Sequence, residues 1–235
     1  SEILAEVLPR ITVELSFPKS MMWISGERSF ARPVRRLTAL LGSDVVPFSV
    51  FGVTSGRLTE GHPILSPGDI ELKSADFDAY RAALRARSVI VEIADRKQMI
   101  RSEIERNLKP FGGSLREETL LEEVTNLVQC PSVMVGDFDR AFLSVPAPVI
   151  EAAMMEHQRY FPVRDGDGRL LPNFIFVSDR PHDHDDLIRI GNQEVLRARL
   201  ADARFFHEQD RKFRLEALVE KLSGVFFLRG LGTYL

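Results

Sequence analysis

Two Asp-Gly pairs, Asp165-Gly166 and Asp167-Gly168, stand between the apolar runs Tyr160-Phe161-Pro162-Val163 and Asn173-Phe174-Ile175-Phe176-Val177. Asp-Gly supplies the positive φ that a tight turn needs, so this stretch predicts a β-hairpin. Helical periodicity flanks it. Pro148–Met155 precedes it as a helical segment. From Gly191 onward, Leu196, Leu200, Ala203 and Phe206 recur at helical spacing and predict a core-facing stripe. The helical pattern continues through Leu215, Leu218, Val219 and Leu222. Strands and helices mix without β-α-β alternation, which predicts an α+β fold with an antiparallel-rich sheet.

The rest of the chain fits the same class. Ile3–Leu15 predicts a helix, with Pro9 kinking it or starting its second half. Trp23–Leu41 carries Phe30, Val34, Leu37 and Leu41 at helix-like spacing. Val45–Val53 reads as a strand and Thr54–Gly61 as turn-rich. Asp76 is placed to cap a helix running to Arg85. Ile93, Ile100, Ile104 and Leu108 mark another, closed by Pro110 and Gly112-Gly113. Leu120, Leu121, Val124, Leu127 and Val128 mark a further helix, and Val133–Val135 a short strand. No repeat or low-complexity linker interrupts the pattern. Residues 1–220 therefore read as one domain and 221–235 as a helical connector toward the next. Both ends read as cut from a longer chain.

The net charge of −3 gives no global basic field to draw nucleic acid, but 31 Lys and Arg are enough for a local patch. The single cysteine, Cys130, excludes an intrachain disulfide, fits a reducing compartment, and reads as a buried structural thiol. No segment has the roughly 18 apolar residues of a membrane span, and no signal peptide is visible.

Four clusters could carry chemistry. Arg28, Arg32, Arg35 and Arg36 lie beside Trp23 and Phe30, a mixture suited to RNA through phosphate contact and stacking, or to an ordinary charged face. Ser55-Gly56-Arg57-Leu58-Thr59 and Gly61-His62 could cradle a phosphate or form a turn around a buried histidine; no Walker or Rossmann spacing accompanies them. Glu156-His157-Gln158-Arg159-Tyr160 reads as a hydrogen-bonded helix-to-strand junction or as a contact surface, with no positioned nucleophile beside it. Arg197, Arg204, Glu208 and Arg211 form the outer face of the helix that carries Leu196 and Leu200. His182-Asp183-His184-Asp185-Asp186 has ligand chemistry but the spacing of a loop, so no metal site and no catalytic residue is assigned.

Several blocks also resemble one family. They are Leu15-Ser16-Phe17-Pro18-Lys19-Ser20-Met21 with Trp23, Phe30-Ala31-Arg32-Pro33-Val34-Arg35, and Gly52–Arg57 with Thr59 and Gly61-His62. Glu123-Val124-Thr125, Glu156–Val163, Leu171-Pro172-Asn173-Phe174, Gly191-Asn192 and Arg199–Ala203 with Phe205-Phe206 and Gln209–Lys212 follow in order. Together they resemble the central region of the β subunit of bacterial, heterotetrameric glycyl-tRNA synthetase. Met22, Arg36 and Pro63-Ile64 depart from its usual residues.

The resemblance implies a fold similar to the B3/B4 module of phenylalanyl-tRNA synthetase β chains. It implies a class II active site in a separate α subunit, which makes glycyl-adenylate from glycine and ATP. The β subunit then supplies tRNA recognition. The implied partners are that α subunit and tRNA(Gly), in a cytoplasmic enzyme. No cofactor is implied in this fragment, ATP and Mg2+ belonging with the α subunit. The tRNA-contact candidates are Arg28, Arg32, Arg35, Arg57, His62, His157, Arg159, Arg204 and Arg211. The alternative is an editing-type hydrolase acting on mischarged tRNA, with His157 or His62 as base. The family's HD-type domain lies beyond this region and is distinct from His182–Asp186.

Overall fold

A computed structural model describes residues 2–23, 29–180, 186–212, 214–222, 224–228 and 232–233. It divides into two compact units, 1–96 and 97–235. The last fifteen residues also hold strand as well as helix.

In the first unit, α1 (Glu2–Glu14) is followed by short strands: β1 (Leu37–Thr38), β2 (Leu40–Leu41), β3 (Asp44–Val45), β4 (Ser49–Val50), β5 (Val53–Gly56), β6 (Leu58–Glu60) and β7 (Asp69–Glu71). β5 lies between β1, parallel to it, and β4, antiparallel; β2 pairs with β3 and β6 with β7. The helix expected over Trp23–Leu41 is absent among the described residues. Pro33 lacks an N–H and its ring obstructs a helical turn, and Leu37 and Thr38 instead pair with Ser55 and Gly56. The single strand expected over Val45–Val53 folds back on itself, because Phe51 and Gly52 take φ of 53° and 73°, a two-residue turn joining β4 to β5. Thr54–Gly61, expected to be turn-rich, supplies most of β5 and β6. α2 (Phe77–Arg85) begins where Asp76 Oδ1 accepts the Ala79 N–H at 2.6 Å, as its sequence predicts.

α3 (Ile93–Leu108) ends in a 3-10 turn, with Gly112 at φ 72°. In the second unit, α4 (Glu118–Thr125), β8 (Ser132–Asp137), α5 (Ala147–Gln158), β9 (Phe161–Arg164), β10 (Leu170–Ser178) and α6 (Leu187–Asp210) build three layers. The sheet has the order β8-β10-β9 and is antiparallel throughout. Its β9–β10 hairpin forms at the Asp-Gly pairs, where Asp165 Oδ1 accepts the N–H groups of Asp167 and Arg169 at 3.0 and 2.9 Å. Alternation along β10 sends Ile175 into a core with Ile100, Ile104, Leu121 and Val124, and sends Phe174 and Phe176 into another with Ile150, Met154, Leu196 and Leu200. Helices thus cover both faces. α7 (Leu215–Leu222) follows, then β11 (Phe226–Leu228) paired with β12 (Gly232–Thr233). No helix among the described residues is long and apolar enough to cross a membrane.

Candidate nucleic-acid interface

Arg32, Arg35 and Arg36, the described part of the basic run, lie in irregular chain rather than a helix. Phe17-Pro18 follows α1, and the chain then turns back so that Met21 and Phe30 exchange N–H···O bonds at 3.1 Å. Ser20 and Ser29 share a hydroxyl hydrogen bond at 3.0 Å, and Trp23 Nε1 donates to the Phe30 carbonyl at 3.0 Å. Phe30 anchors this arm, its ring 4.9 Å from Phe17 and 5.4 Å from Phe51. Met21, Met22 and Trp23 remain at the surface, Trp23 being 41% exposed. Lys19, Arg32 and Arg35 are exposed as well. No ion pair joins Arg32 or Arg35 to another described residue, whereas Arg36 is held by Asp69 at 2.7 Å and Glu60 at 2.6 Å. The hydrogen bond that Arg36 donates to Asp69 leads the effects that raise the Arg36 pKa. Arg28 lies outside the described residues.

The other candidates in this unit serve the fold. Arg57 donates to the Leu72 and Ser43 carbonyls at 3.4 and 3.2 Å. His62 is 1% exposed, and its Nδ1 accepts the N–H groups of Ile64 and Leu65 at 3.2 and 3.1 Å. Its side chain lies beneath the surface. It organises a turn.

In the second unit, His157 is exposed near the end of α5. Arg159 closes that helix in the left-handed conformation, φ 60°, and donates to Glu123 at 2.5 Å and to the Met155 and Glu156 carbonyls. It is a brace between α5 and α4. A cleft of about 480 Å³ beside it is lined by Arg116 and Arg159 but also by Glu117, Glu118, Glu123 and Glu156, an acidic balance that disfavours phosphate. Arg204 stacks over the Phe142 ring at 5.0 Å, and Arg211 is exposed just past α6. Phe206, expected in the core, is 61% exposed; Leu196 and Leu200 alone carry the buried stripe of α6.

Cys130 is partly rather than fully buried; burial first, then the Asp179 carboxylate, pushes its thiol pKa up. His182–Asp185 lie outside the described residues. Among those described, no group of three or more His, Cys, Asp or Glu is placed to hold a metal ion.

The family model of the glycyl-tRNA synthetase β subunit matches residues 1–235. The chain belongs to that family. It is 41% identical over 234 residues to the glycine–tRNA ligase β subunit of Desulforamulus reducens, covering 99% of this chain and 33% of that protein. It is 41% identical over 227 residues to the Bacillus subtilis protein of the same name, covering 96% of this chain and 33% of the relative. Against that of Myxococcus xanthus it is 44% identical over 236 residues, covering 100% and 33%. The chain thus spans about a third of the length of these relatives.

The β-subunit blocks read from the sequence have structural reasons. Leu15–Trp23 and Phe30–Arg35 are the arm and its continuation. Glu156–Val163 is the α5–β9 junction, where the Tyr160 hydroxyl donates to Asn192 Oδ1 of α6 at 2.5 Å, while Asn192 Nδ2 donates to the Ile188 carbonyl at 2.6 Å. Two blocks separated by some thirty residues in this β-subunit chain thus close one buried contact.

Proposed function

We propose that this chain is a non-catalytic part of glycine–tRNA ligase, the enzyme that joins glycine to tRNA(Gly) with ATP, and that the arm Lys19–Arg35 contacts the tRNA. Membership of the β-subunit family supports the enzyme. The exposure of Arg32 and Arg35, a few residues along the chain from the Phe30 that Trp23 bonds, with neighbouring Arg36 already neutralised, carries the RNA assignment: two available guanidinium groups and an indole face suit phosphate contact and base stacking. On this reading the partners are the α subunit and tRNA(Gly) in a cytoplasmic heterotetramer, and ATP and Mg2+ act in the α subunit. The likeness to the B3/B4 module of phenylalanyl-tRNA synthetase belongs to the same reading, supported by an antiparallel sheet set between helices.

The test is a gel shift of tRNA(Gly) with the full β subunit at several salt concentrations. Reversal of both charges, R32E with R35E, is expected to weaken binding more than tenfold. It should also flatten the salt dependence by about one unit of log–log slope for each phosphate that is no longer neutralised. Unchanged affinity and slope in the double variant would remove the arm from the tRNA interface.

A further inference from the structure

α6 carries an apolar surface that its own unit leaves uncovered. Its 24 residues span about 36 Å at 1.5 Å per residue, yet no described residue of it after Leu200 is buried. At 100° per residue, Ala198 and Phe205 fall opposite Leu196 and Leu200, and Val195 and Phe206 fall on the flank between. Phe205 is 55% and Phe206 61% exposed, and their rings pack edge to face at 5.5 Å. Ordered aromatic rings side by side in water are an expensive arrangement for a surface helix. Val219 and Leu222 of α7 are exposed as well.

The size and charge of this surface select its occupant. At 55% and 61% exposure the two touching rings present on the order of 200 Å² of largely apolar area. That is short of the roughly 800 Å² per partner of a stable complex between separate molecules. It suffices for a covalently linked neighbour, whose tether supplies an effective concentration in the millimolar range. Exposed charges of both signs share this stretch, Asp202, Glu208 and Asp210 with Arg199, Arg211 and Lys212, so no net basic patch draws RNA phosphate. The relatives' chains are three times as long as this one, which provides the neighbour.

We propose that Phe205 and Phe206 dock an apolar helix face from the part of the β subunit outside residues 1–235. The inference rests on membership of the β-subunit family and is independent of the RNA contact at the arm.

The test places the photo-reactive residue p-benzoylphenylalanine at position 206 of the full-length β subunit, within the complete synthetase and with tRNA(Gly) present. The expected product is a concentration-independent crosslink within one polypeptide, to a peptide outside residues 1–235. A crosslink to the α subunit, to a second β subunit or to tRNA would overturn the proposal, as would no crosslink. Amide exchange is a second measure that does not depend on crosslinking chemistry. Residues 201–210 are expected to exchange on the order of tenfold more slowly in the full subunit than in the 235-residue chain. That protection should be lost in F205D/F206D and kept in F205L/F206L. Equal exchange in the long and short chains would sink the idea, whatever the outcome of the gel shift.

Discussion

The ring of Tyr160 lies 4.8 Å from Phe174 and 5.8 Å from Phe176, inside one of the two cores of the second unit, while its hydroxyl reaches Asn192. Burial disfavours the phenolate and pushes its pKa up to about 12. In the unfolded chain a tyrosine ionises near 10. The stabilisation is therefore fully present below pH 10 and declines as the pH rises toward 12, where the unfolded chain ionises and the folded one does not. Urea midpoints at pH 9 and pH 11.5 should fall further for the native sequence than for Y160F. At pH 7, Y160F should cost about 1 kcal/mol for the missing hydrogen bond. The aromatic residues of this contact are legible in the sequence as hydrophobic runs; the pairing with Asn192 is not, because it depends on where α6 crosses the sheet. His62 escapes for a related reason. A Cβ on Gly61 would stand 2.5 Å from the Ser66 carbonyl oxygen, so the loop closes tightly around the histidine, and nothing local in Gly61-His62 reveals that.

Two glycines in the second unit carry opposite expectations. Phe174 lies directly over Gly136 of β8, and a Cβ there would come within 2.4 Å of its ring. G136A should destabilise by about 1–3 kcal/mol through overpacking. Gly191 stands within the first turns of α6 with nothing within 4 Å of its would-be Cβ. G191A should stabilise by about 0.5–1 kcal/mol, as alanine costs less backbone entropy in a helix. Thermal unfolding of the two single variants checks both signs. Elements whose signal is local were readable: the Asp165–Gly168 turn, the Asp76 cap, the helix over Ile93–Leu108 and the helical pattern from Gly191 onward. The stretch from Trp23 to Leu41 was not. Its apolar spacing imitates a helix, while its conformation is decided by Pro33 and by pairing with Ser55 and Gly56 farther along the chain.

On the scale of the whole molecule, the α+β class was legible from the absence of β-α-β alternation, but the division into two units was not. The boundary falls inside α3, a continuous helix with no Gly, Pro or Ser-rich stretch to mark it. The second unit brings its own cores on both faces of its sheet, so residues 92–235, with α3 intact, should fold alone and unfold cooperatively. A chain of that length without a sigmoidal denaturation curve would show that its cores need residues 1–91. Arg164 is part of this self-sufficiency. It joins β9 to Glu117 at 2.6 Å and to Glu151 of α5 at 3.0 Å, all three side chains largely buried. Burial draws its pKa down, but hydrogen bonds to the two carboxylates outweigh this and leave it raised. β9 itself is an edge strand only four residues long, with Pro162 as its second residue. So short and proline-bearing an edge makes a poor template for an incoming strand. The sheet therefore stops growing at that side, and the unit resists edge-to-edge aggregation while its aromatic-rich strands are being synthesised and folded.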